Sequence, residues 1–210
     1  KAMQMGVLDT QSGFDIAFEA PFQLKENDRL RLVAAARKAA FAARKAAFDA
    51  RFPGQAGRLS EILAGHRGGP LSGYMAIRTE IDPLAAMAEA SAYGPVGVPV
   101  IDGPGLPLSF SVWEPDCEMT HGPFGARIPA AGVAMEPEIL IVPLVAFSRS
   151  GGRLGYGGGF YDRTLERLRA KRPTLAIGFA FAGQEMDDLP LEDTDQPLDL
   201  IVTEREIIEP

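Results

Sequence analysis

The chain has 210 residues, 46% of them hydrophobic and 23% charged, and its 21 basic and 28 acidic side chains give a formal net charge of −7. This length is enough to bury a core in one large domain, and the acidic balance argues against a nucleic-acid-binding protein. A single cysteine excludes a disulfide framework within the chain and a cysteine-cluster metal site. The longest apolar run is too short to cross a bilayer and no secretory segment opens the chain, so we expect a protein of the reducing cytoplasm that does not bind membranes.

The N-terminal part of the sequence changes character near residue 28. Residues 1–27 show no sustained periodicity, and we expect an irregular extension there, before a single α/β domain over residues 28–210. Asp28 is the expected N-cap of a long helix over Arg29–Arg51, which is rich in Ala, Arg and Lys and has neither Gly nor Pro. A second, short helix is predicted over Ala56–Ala64.

Beyond the break at residues 68–70, predicted strands alternate with predicted helices. The strand signal is clearest over Ile139–Phe147, a continuous apolar run of the kind that is buried on both faces of a parallel sheet. The other predicted elements, in chain order, are a strand over Leu71–Ile77, a helix over Asp82–Ala92 with Pro83 in its first turn, strands over Val96–Ile101 and Leu108–Trp113, a helix over Phe160–Ala170, and strands over Leu175–Phe181 and Leu198–Val202. This alternation predicts an α/β three-layer sandwich with a mostly parallel, Rossmann-like sheet.

Charge is unevenly distributed along the chain. Residues 25–51 hold eight basic and three acidic side chains, whereas residues 185–209 hold ten acidic side chains and one basic side chain. These two segments are either solvated faces or the two sides of a site for a polyanion and a metal ion.

The most informative segment is the glycine-rich stretch over Arg153–Arg163, between the apolar run and a predicted helix. Its glycines at positions 155, 157, 158 and 159 let backbone N–H groups approach a ligand closely, with the positive end of the helix behind them. Arg153 adds forked donors suited to phosphate oxygens, and Asp162 in the first helical turn can hold a divalent cation. The spacing matches neither a P-loop nor a dinucleotide fingerprint. The alternative is a flexible surface connection in which Asp162 is only a helix-start charge.

This stretch, with Pro143–Phe147 before it, resembles the signature of the 5-formyltetrahydrofolate cyclo-ligase family, whose members are also called 5,10-methenyltetrahydrofolate synthetases. Further blocks resemble the family in the same order over most of the chain: Thr79–Pro83, Gly122–Gly125, Phe181–Gln184 and Asp193–Asp199. The resemblance implies ATP- and magnesium-dependent conversion of 5-formyltetrahydrofolate to 5,10-methenyltetrahydrofolate, with release of ADP and phosphate. We expect a monomer whose partner is this small-molecule folate.

The resemblance also implies roles for individual residues. Arg153 and Tyr161 are the expected catalytic residues, and Asp162 and Asp195 are the expected magnesium ligands. The expected folate contacts are Met75, Glu80 and Phe124. The expected nucleotide contacts are Arg37, Arg153, Leu154, Gly155, Tyr156, Gly157, Gly158, Gly159, Phe160 and Tyr161.

Two of these acids also have readings that need no resemblance. A carboxylate at Glu80 can accept paired N–H donors from a pterin ring, although a charge in the first turn of a helix is an equally ordinary role. Asp195 is otherwise an acid of a loop within the acidic C-terminal segment.

Two positions depart from the family pattern. The family has a lysine four residues before the arginine of its first helix, and where Arg37 is that arginine the lysine position holds Val33. Either Arg31 or Lys38 replaces the lysine, or the register differs, or nucleotide binding is weakened. In the central loop, Ile128-Pro129 stands where family members commonly have Glu-Pro.

The first helix carries five residues at intervals of four and three on one face: Arg37, Phe41, Arg44, Phe48 and Arg51. That face is either a core-facing stripe with arginines extended toward solvent, or a face from which Arg37 and Arg44 reach the nucleotide.

Two rival functions stay open at this point. One is a catalytically silent homologue that binds a folate or a nucleotide as a sensor or buffer, which the missing lysine favours. The other is a Rossmann-type oxidoreductase, which would bind a nicotinamide cofactor.

Overall fold

The computed structural model describes residues 26–210, so the expected extension up to residue 25 lies outside the described residues. The helices of this part are α1 (Glu26–Asp49), α2 (Gly57–Ala64), α3 (Leu84–Ser91) and α4 (Phe160–Arg169). None of these four helices is both long enough and apolar enough to span a bilayer. The strands are β1 (Leu71–Ser72), β2 (Val96–Val100), β3 (Ser109–Val112), β4 (Met119–His121), β5 (Arg127–Pro129), β6 (Ala134–Met135), β7 (Ile139–Pro143), β8 (Ala146–Phe147), β9 (Arg153–Leu154), β10 (Leu175–Phe179), β11 (Leu200–Val202) and β12 (Ile207–Ile208). Short 3-10 helices cover Pro123–Gly125 and Ala182–Gln184.

Eight strands form one mixed sheet in the order β12-β11-β10-β7-β1-β2-β3-β6. The five strands from β11 to β2 run parallel, and antiparallel strands complete both edges. At the centre, β7 pairs with β1 on one side and with β10 on the other, where Ile141 lies opposite Ile177. The mostly parallel sheet predicted from the sequence is therefore confirmed.

Helices cover both faces of this sheet, because its central strands are apolar on both sides. Ile139 and Ile141 of β7 belong to the cluster that packs against α1, α2 and α3, whereas Leu140 and Val142 belong to the cluster that includes α4. Successive side chains of a strand point to opposite faces, so a continuous apolar run serves two cores at once. The predicted three-layer sandwich is confirmed.

The predicted strand over Ile139–Phe147 is divided in the structure. Its first part, β7, ends at Pro143, which has no N–H to continue a hydrogen-bonded ladder. Ala146–Phe147 then pairs with Arg153–Leu154 as the antiparallel β8–β9 hairpin. The first two residues of the glycine-rich stretch are therefore a strand rather than a loop.

The predicted strand over Leu71–Ile77 is also too long, because β1 ends at Ser72. The next residue, Gly73, packs so closely against α3 that a Cβ there would lie 2.3 Å from the Sδ atom of Met87. The residues that follow leave the sheet and form part of the wall of the site described below.

Two helix starts differ from the prediction. Because α1 already includes Glu26, Asp28 lies inside the helix and is not its N-cap. Pro83 occupies the N-cap position of α3 rather than the first turn, and Oδ1 of the preceding Asp82 accepts the N–H of Leu84 at 2.9 Å. Such boundaries depend on local hydrogen bonds that composition and periodicity do not specify.

Candidate active site

The site lies where the order of the sheet reverses. The chain passes from β1 to β2 on one side and from β7 to β10 on the other, so the loops that follow β1 and β7 diverge and open a crevice. A cavity of about 840 Å³ lies at this edge. Its walls come mainly from five segments: the turn after β1, the loop between β9 and α4, the β4–β5 hairpin, one face of α1, and the acidic segment before β11.

The glycine-rich loop, residues 155–159, lines this cavity along its whole length. Its backbone requires glycine at two positions, since φ is +97° at Gly157 and +61° at Gly159. At Gly157 a Cβ would also lie 3.0 Å from the guanidinium of Arg37. Gly159 is the N-cap residue of α4, and the first residues of that helix line the cavity, so the positive end of the helix faces it. This arrangement can bind an anion through backbone N–H groups.

The first helix lies against this loop. Nε of Arg37 donates to the carbonyl oxygen of Gly155 at 3.2 Å, and the side chain lines the cavity. Val33, one turn earlier, lines the cavity too. Arg31 and Lys38 are exposed and are not part of the wall. The structure thus brings Arg37 to the loop, whereas neither Arg31 nor Lys38 lines the cavity.

Arg153 and Asp162 meet in an ion pair at the base of the loop. Nη2 of Arg153 lies 2.5 Å from Oδ1 of Asp162, and Nη1 donates to the carbonyl oxygen of Gln196. The backbone N–H of Gln196 donates to the same Oδ1 atom at 3.0 Å. Both Nη atoms of Arg153 are therefore engaged within the protein, and its role toward phosphate stays a prediction.

Two carboxylates of the cavity, those of Asp162 and Asp195, form the candidate metal site. Asp195 accepts the N–H of Glu192 at 2.8 Å, and burial raises the pKa of Asp195, an effect to which the negative charge of Asp162 adds. A cation between the two acids would relieve that repulsion. Among residues 26–210 no group of three or more acids, histidines or cysteines could hold a metal by itself. Two carboxylates suit magnesium, which completes its octahedral shell with phosphate oxygens and water.

The turn after β1 contributes Glu80, which is buried, to the cavity wall. Its Oε2 atom accepts the backbone N–H of Ile77 at 2.9 Å, and its Oε1 atom lies 3.8 Å from Nη1 of Arg44. Burial raises the pKa of Glu80, and the hydrogen bond from Ile77 and the charge of Arg44 oppose this effect. Glu80 is therefore a carboxylate fixed in place by its neighbours rather than a solvated helix charge.

Arg44 lies beneath the cavity and connects several elements. It is 1% exposed, and it donates to Thr79 Oγ1 at 3.1 Å, to the Leu144 carbonyl oxygen at 3.4 Å and to the Tyr156 hydroxyl at 2.7 Å. Arg44 is not among the residues that line the cavity, so it does not extend toward solvent or reach into the cavity as the two sequence interpretations supposed.

Arg78 is a residue of the site that the sequence did not indicate. It lines the cavity, its guanidinium lies 5.9 Å from the ring centroid of Tyr156, and it has a φ of 56°. A residue other than glycine rarely adopts this left-handed backbone, and such strain concentrates at functional sites. No sequence pattern announces it, because the conformation is imposed by the turn after β1.

Tyr161 lies on the cavity wall with its hydroxyl unpaired. The hydroxyl oxygen is buried and has no hydrogen-bond partner within the described part of the chain. Burial raises the pKa of Tyr161, and the negative charge of Glu80 raises it further. The phenol therefore stays protonated and is available as a donor to a bound molecule.

One cavity is lined by every predicted site residue whose side chain the structure describes. The predicted nucleotide contacts and metal ligands lie on one side, and Met75 and Glu80 lie on the turn after β1. The side chain of Phe124 lies outside the described residues; its backbone belongs to the 3-10 helix between β4 and β5.

Comparison with known proteins is consistent with this geometry. A sequence model described as the 5-formyltetrahydrofolate cyclo-ligase family matches residues 28–204. The 5-formyltetrahydrofolate cyclo-ligase of Haemophilus influenzae is 42% identical over 101 residues, which cover 45% of this chain and 54% of that protein. The Escherichia coli K12 protein of the same name is 46% identical over 72 residues, covering 34% and 39%. The chain thus matches about half or less of the length of these curated relatives.

Solved structures extend the similarity over most of the fold. The 5,10-methenyltetrahydrofolate synthetase of Aquifex aeolicus superposes with a TM-score of 0.63 at 25% identity, covering 85% of this chain and 92% of that one. The synthetase of Mycoplasma pneumoniae gives a TM-score of 0.63 at 20% identity, covering 82% and 99%. The second likeness concerns the fold alone.

Proposed function

The chain belongs to the 5-formyltetrahydrofolate cyclo-ligase family, and we propose that it converts 5-formyltetrahydrofolate to 5,10-methenyltetrahydrofolate while ATP is converted to ADP and phosphate. The observation that carries this proposal is the single cavity that contains both the glycine-rich loop and Glu80. A nucleotide on one wall and a folate on the other would meet inside it, as transfer between two substrates requires.

The nucleotide end of the proposed site is the loop at residues 155–159. Its backbone N–H groups and the N-terminus of α4 supply donors for the phosphates, and glycine leaves no Cβ in their way. Arg37 adds positive charge at the loop. Phosphoryl transfer is catalysed mainly by positioning and charge neutralisation, so a site without a nucleophilic side chain suits this reaction.

The folate end is the turn after β1. Glu80 is proposed to accept paired N–H donors of the pterin ring, for which its fixed orientation is suited. Met75 lines the adjacent wall, and Phe124 is proposed to lie beside it. The buried, unpaired hydroxyl of Tyr161 supports a catalytic role, as a donor to an oxygen of the reacting groups.

The chemistry explains why both ends are needed. A formyl oxygen is a poor leaving group until it is phosphorylated, so the formyl oxygen takes the γ-phosphoryl group of ATP before a neighbouring folate nitrogen closes the ring and phosphate departs. The residues of this chain are proposed to hold the two substrates next to each other for this transfer.

Asp162 and Asp195 are the residues proposed to hold magnesium. Bound there, the ion would neutralise charge on the transferring phosphoryl group. Arg153 fixes Asp162 through the ion pair at the base of the loop, which orients the carboxylate for this role.

The proposal is tested by mixing the protein with 5-formyltetrahydrofolate and following the near-ultraviolet absorbance of the methenyl product, which the substrate lacks. We expect absorbance to grow only when ATP and magnesium are both present. No growth in their presence would overturn the proposal.

A second candidate is a catalytically silent homologue, favoured by the uncharged Val33 on the cavity wall where the family has a lysine. The two candidates differ in one result. Folate that binds, measured by calorimetry, without any growth of absorbance would identify the silent protein.

We also propose a monomer in the reducing cytoplasm. The content of one cysteine in 210 residues supports that compartment.

A further inference from the structure

The cavity has two walls from different parts of the chain: the folate wall, on the turn after β1, and the nucleotide wall, on the glycine-rich loop. One buried side chain contacts both of them. Arg44 of α1 bonds to Thr79 beside Glu80 and also to Tyr156 of the glycine-rich loop. Its Nη1 atom lies 3.8 Å from Glu80 and contacts the carbonyl oxygen of Leu144 just after β7. The guanidinium thus contacts both walls at once.

The hydroxyl of Tyr156 joins Arg44 to the loop, and a change of a single atom can remove this contact. It accepts a hydrogen bond from Nη2 of Arg44 at 2.7 Å, while its ring lies 5.4 Å from that of Phe41 on α1. Tyr156 is 40% exposed and lines the cavity. Burial raises the pKa of Tyr156 most; the negative charge of Glu80 and a side-chain hydrogen bond with Glu80 raise it further, so this carboxylate acts on the same hydroxyl.

We propose that Arg44 is a positioning residue which, through the hydroxyl of Tyr156, couples the folate wall to the glycine-rich loop, so that nucleotide and folate strengthen each other's binding. This inference rests on the proposed function, since it supposes that the two walls receive these two substrates. Arg44 itself touches neither substrate, because it lies beneath the cavity.

The coupling follows from the geometry of the shared hydrogen bond. A nucleotide that orders the loop holds Tyr156 against Arg44, and Arg44 in that position faces Glu80. A folate bound to Glu80 favours the same position of Arg44 from the other side. Two ligands that favour one arrangement raise each other's affinity by the same factor.

The test measures the dissociation constant of 5-formyltetrahydrofolate by calorimetry, with and without magnesium and a non-hydrolysable ATP analogue. We expect the analogue to tighten folate binding about tenfold in the natural protein and about twofold or less in Tyr156→Phe. The coupling factor is the folate dissociation constant without the analogue divided by the constant with it, both measured on the same variant. A substitution that weakens folate binding equally in both measurements therefore leaves the factor unchanged. A merely structural role of Tyr156 would leave this ratio unchanged.

Tyr93→Phe is the matched control. It removes a hydroxyl from another exposed tyrosine that lies beside an arginine, with the Arg67 guanidinium 4.1 Å from its ring, and it lies outside the cavity. We expect it to keep the natural coupling. Arg44→Lys keeps the positive charge but loses the forked N–H donors of the guanidinium, so it should lose coupling as Tyr156→Phe does.

Two results would overturn the inference: natural protein that binds both ligands without coupling, or Tyr156→Phe with coupling equal to the natural protein. A natural protein that binds neither ligand would instead refute the proposed function, and the inference with it. The two failures are therefore distinguishable.

Discussion

The two walls of the cavity are built in opposite ways. The folate wall, to which we propose that folate binds, consists of a buried carboxylate, Glu80, held by a backbone N–H and by a buried arginine. The nucleotide wall, to which we propose that ATP binds, consists mainly of backbone, with two glycines in the left-handed region and the N-terminus of α4. One wall offers a fixed side-chain carboxylate, and the other offers backbone N–H groups that a short loop presents.

This difference suits the two ligands proposed for them. A pterin ring is rigid and offers paired donors at fixed spacing, which a pre-oriented carboxylate can match. A triphosphate is flexible and highly charged, and it is held by many weak donors and a cation. Substitutions should therefore affect the walls differently: the folate wall through charge and burial, and the nucleotide wall through backbone space and metal binding.

The largest effect is expected at the metal side of the nucleotide wall. Asp162→Asn keeps an acceptor oxygen for Arg153 but loses the negative charge proposed to hold magnesium. Turnover with ATP and magnesium should fall about 100-fold. Asp193→Asn, at an exposed acid of the acidic segment that carries Asp195, is the control and should retain turnover. If Asp162→Asn turned over as fast as the natural protein, Asp162 would not belong to the site.

The next largest effect tests the space within the loop. In Gly158→Val, the new Cβ would lie 2.7 Å from the ring of Phe160 at the start of α4, so the loop or the ring must shift. We expect ATP to bind about tenfold more weakly or worse, measured by calorimetry. Gly57→Val, at an exposed glycine of α2 with open space around its Cβ position, is the matched control. Equal affinity for ATP in both variants would contradict the assignment of the loop.

Glu80 of the folate wall should make the free energy of unfolding depend on pH. Because the pKa of Glu80 is raised in the folded state, the folded protein binds a proton there more readily than the unfolded chain does. The stability from this group is present below the unfolded pKa and is lost as pH rises through the folded pKa. Glu80→Gln has no carboxyl group to titrate at this position. It also leaves Arg44 without its carboxylate partner, but it does so equally at every pH.

This sign can be measured by urea unfolding between about pH 4 and pH 7. Relative to Glu80→Gln, the natural protein should lose free energy of unfolding as pH rises. Glu61→Gln, an exposed glutamate on α2, is the control and should follow the natural protein. If the natural protein instead gained stability relative to Glu80→Gln as pH rises, the charge of Arg44 would have a larger effect on the pKa of Glu80 than burial has.

The smallest effect is expected at the outer edge of the nucleotide wall. Arg29 of α1 bonds to Glu192 of the acidic segment at 2.8 Å, with both side chains more than 40% exposed. Such exposed pairs contribute little, so Glu192→Gln should change the free energy of unfolding by less than about 0.5 kcal/mol. A loss above about 1 kcal/mol in urea unfolding would show that this pair clamps the wall.

The sequence was sufficient for the layers of the fold and for the place of the glycine-rich loop between a strand and a helix. Continuous apolar residues in β7 can be buried only between two layers, and glycines between a strand and a helix leave backbone donors exposed. Both features are local patterns, which can be recognised in the sequence without knowledge of distant contacts.

The folate wall was less accessible to prediction because it depends on distant contacts. The stripe of α1 placed Arg44 on a functional or buried face, but its partners lie 35, 100 and 112 positions away. The left-handed backbone of Arg78 is likewise set by the three-dimensional turn after β1.

The central claim is that the N–H groups of residues 155–159 bind the phosphates of ATP. The most direct test is a titration of the isotope-labelled protein with magnesium and a non-hydrolysable ATP analogue, monitored by the backbone amide resonances. The resonances of Gly157, Gly158 and Gly159 should shift most strongly as the analogue binds. Binding that leaves these three resonances in place while others move would contradict the claim.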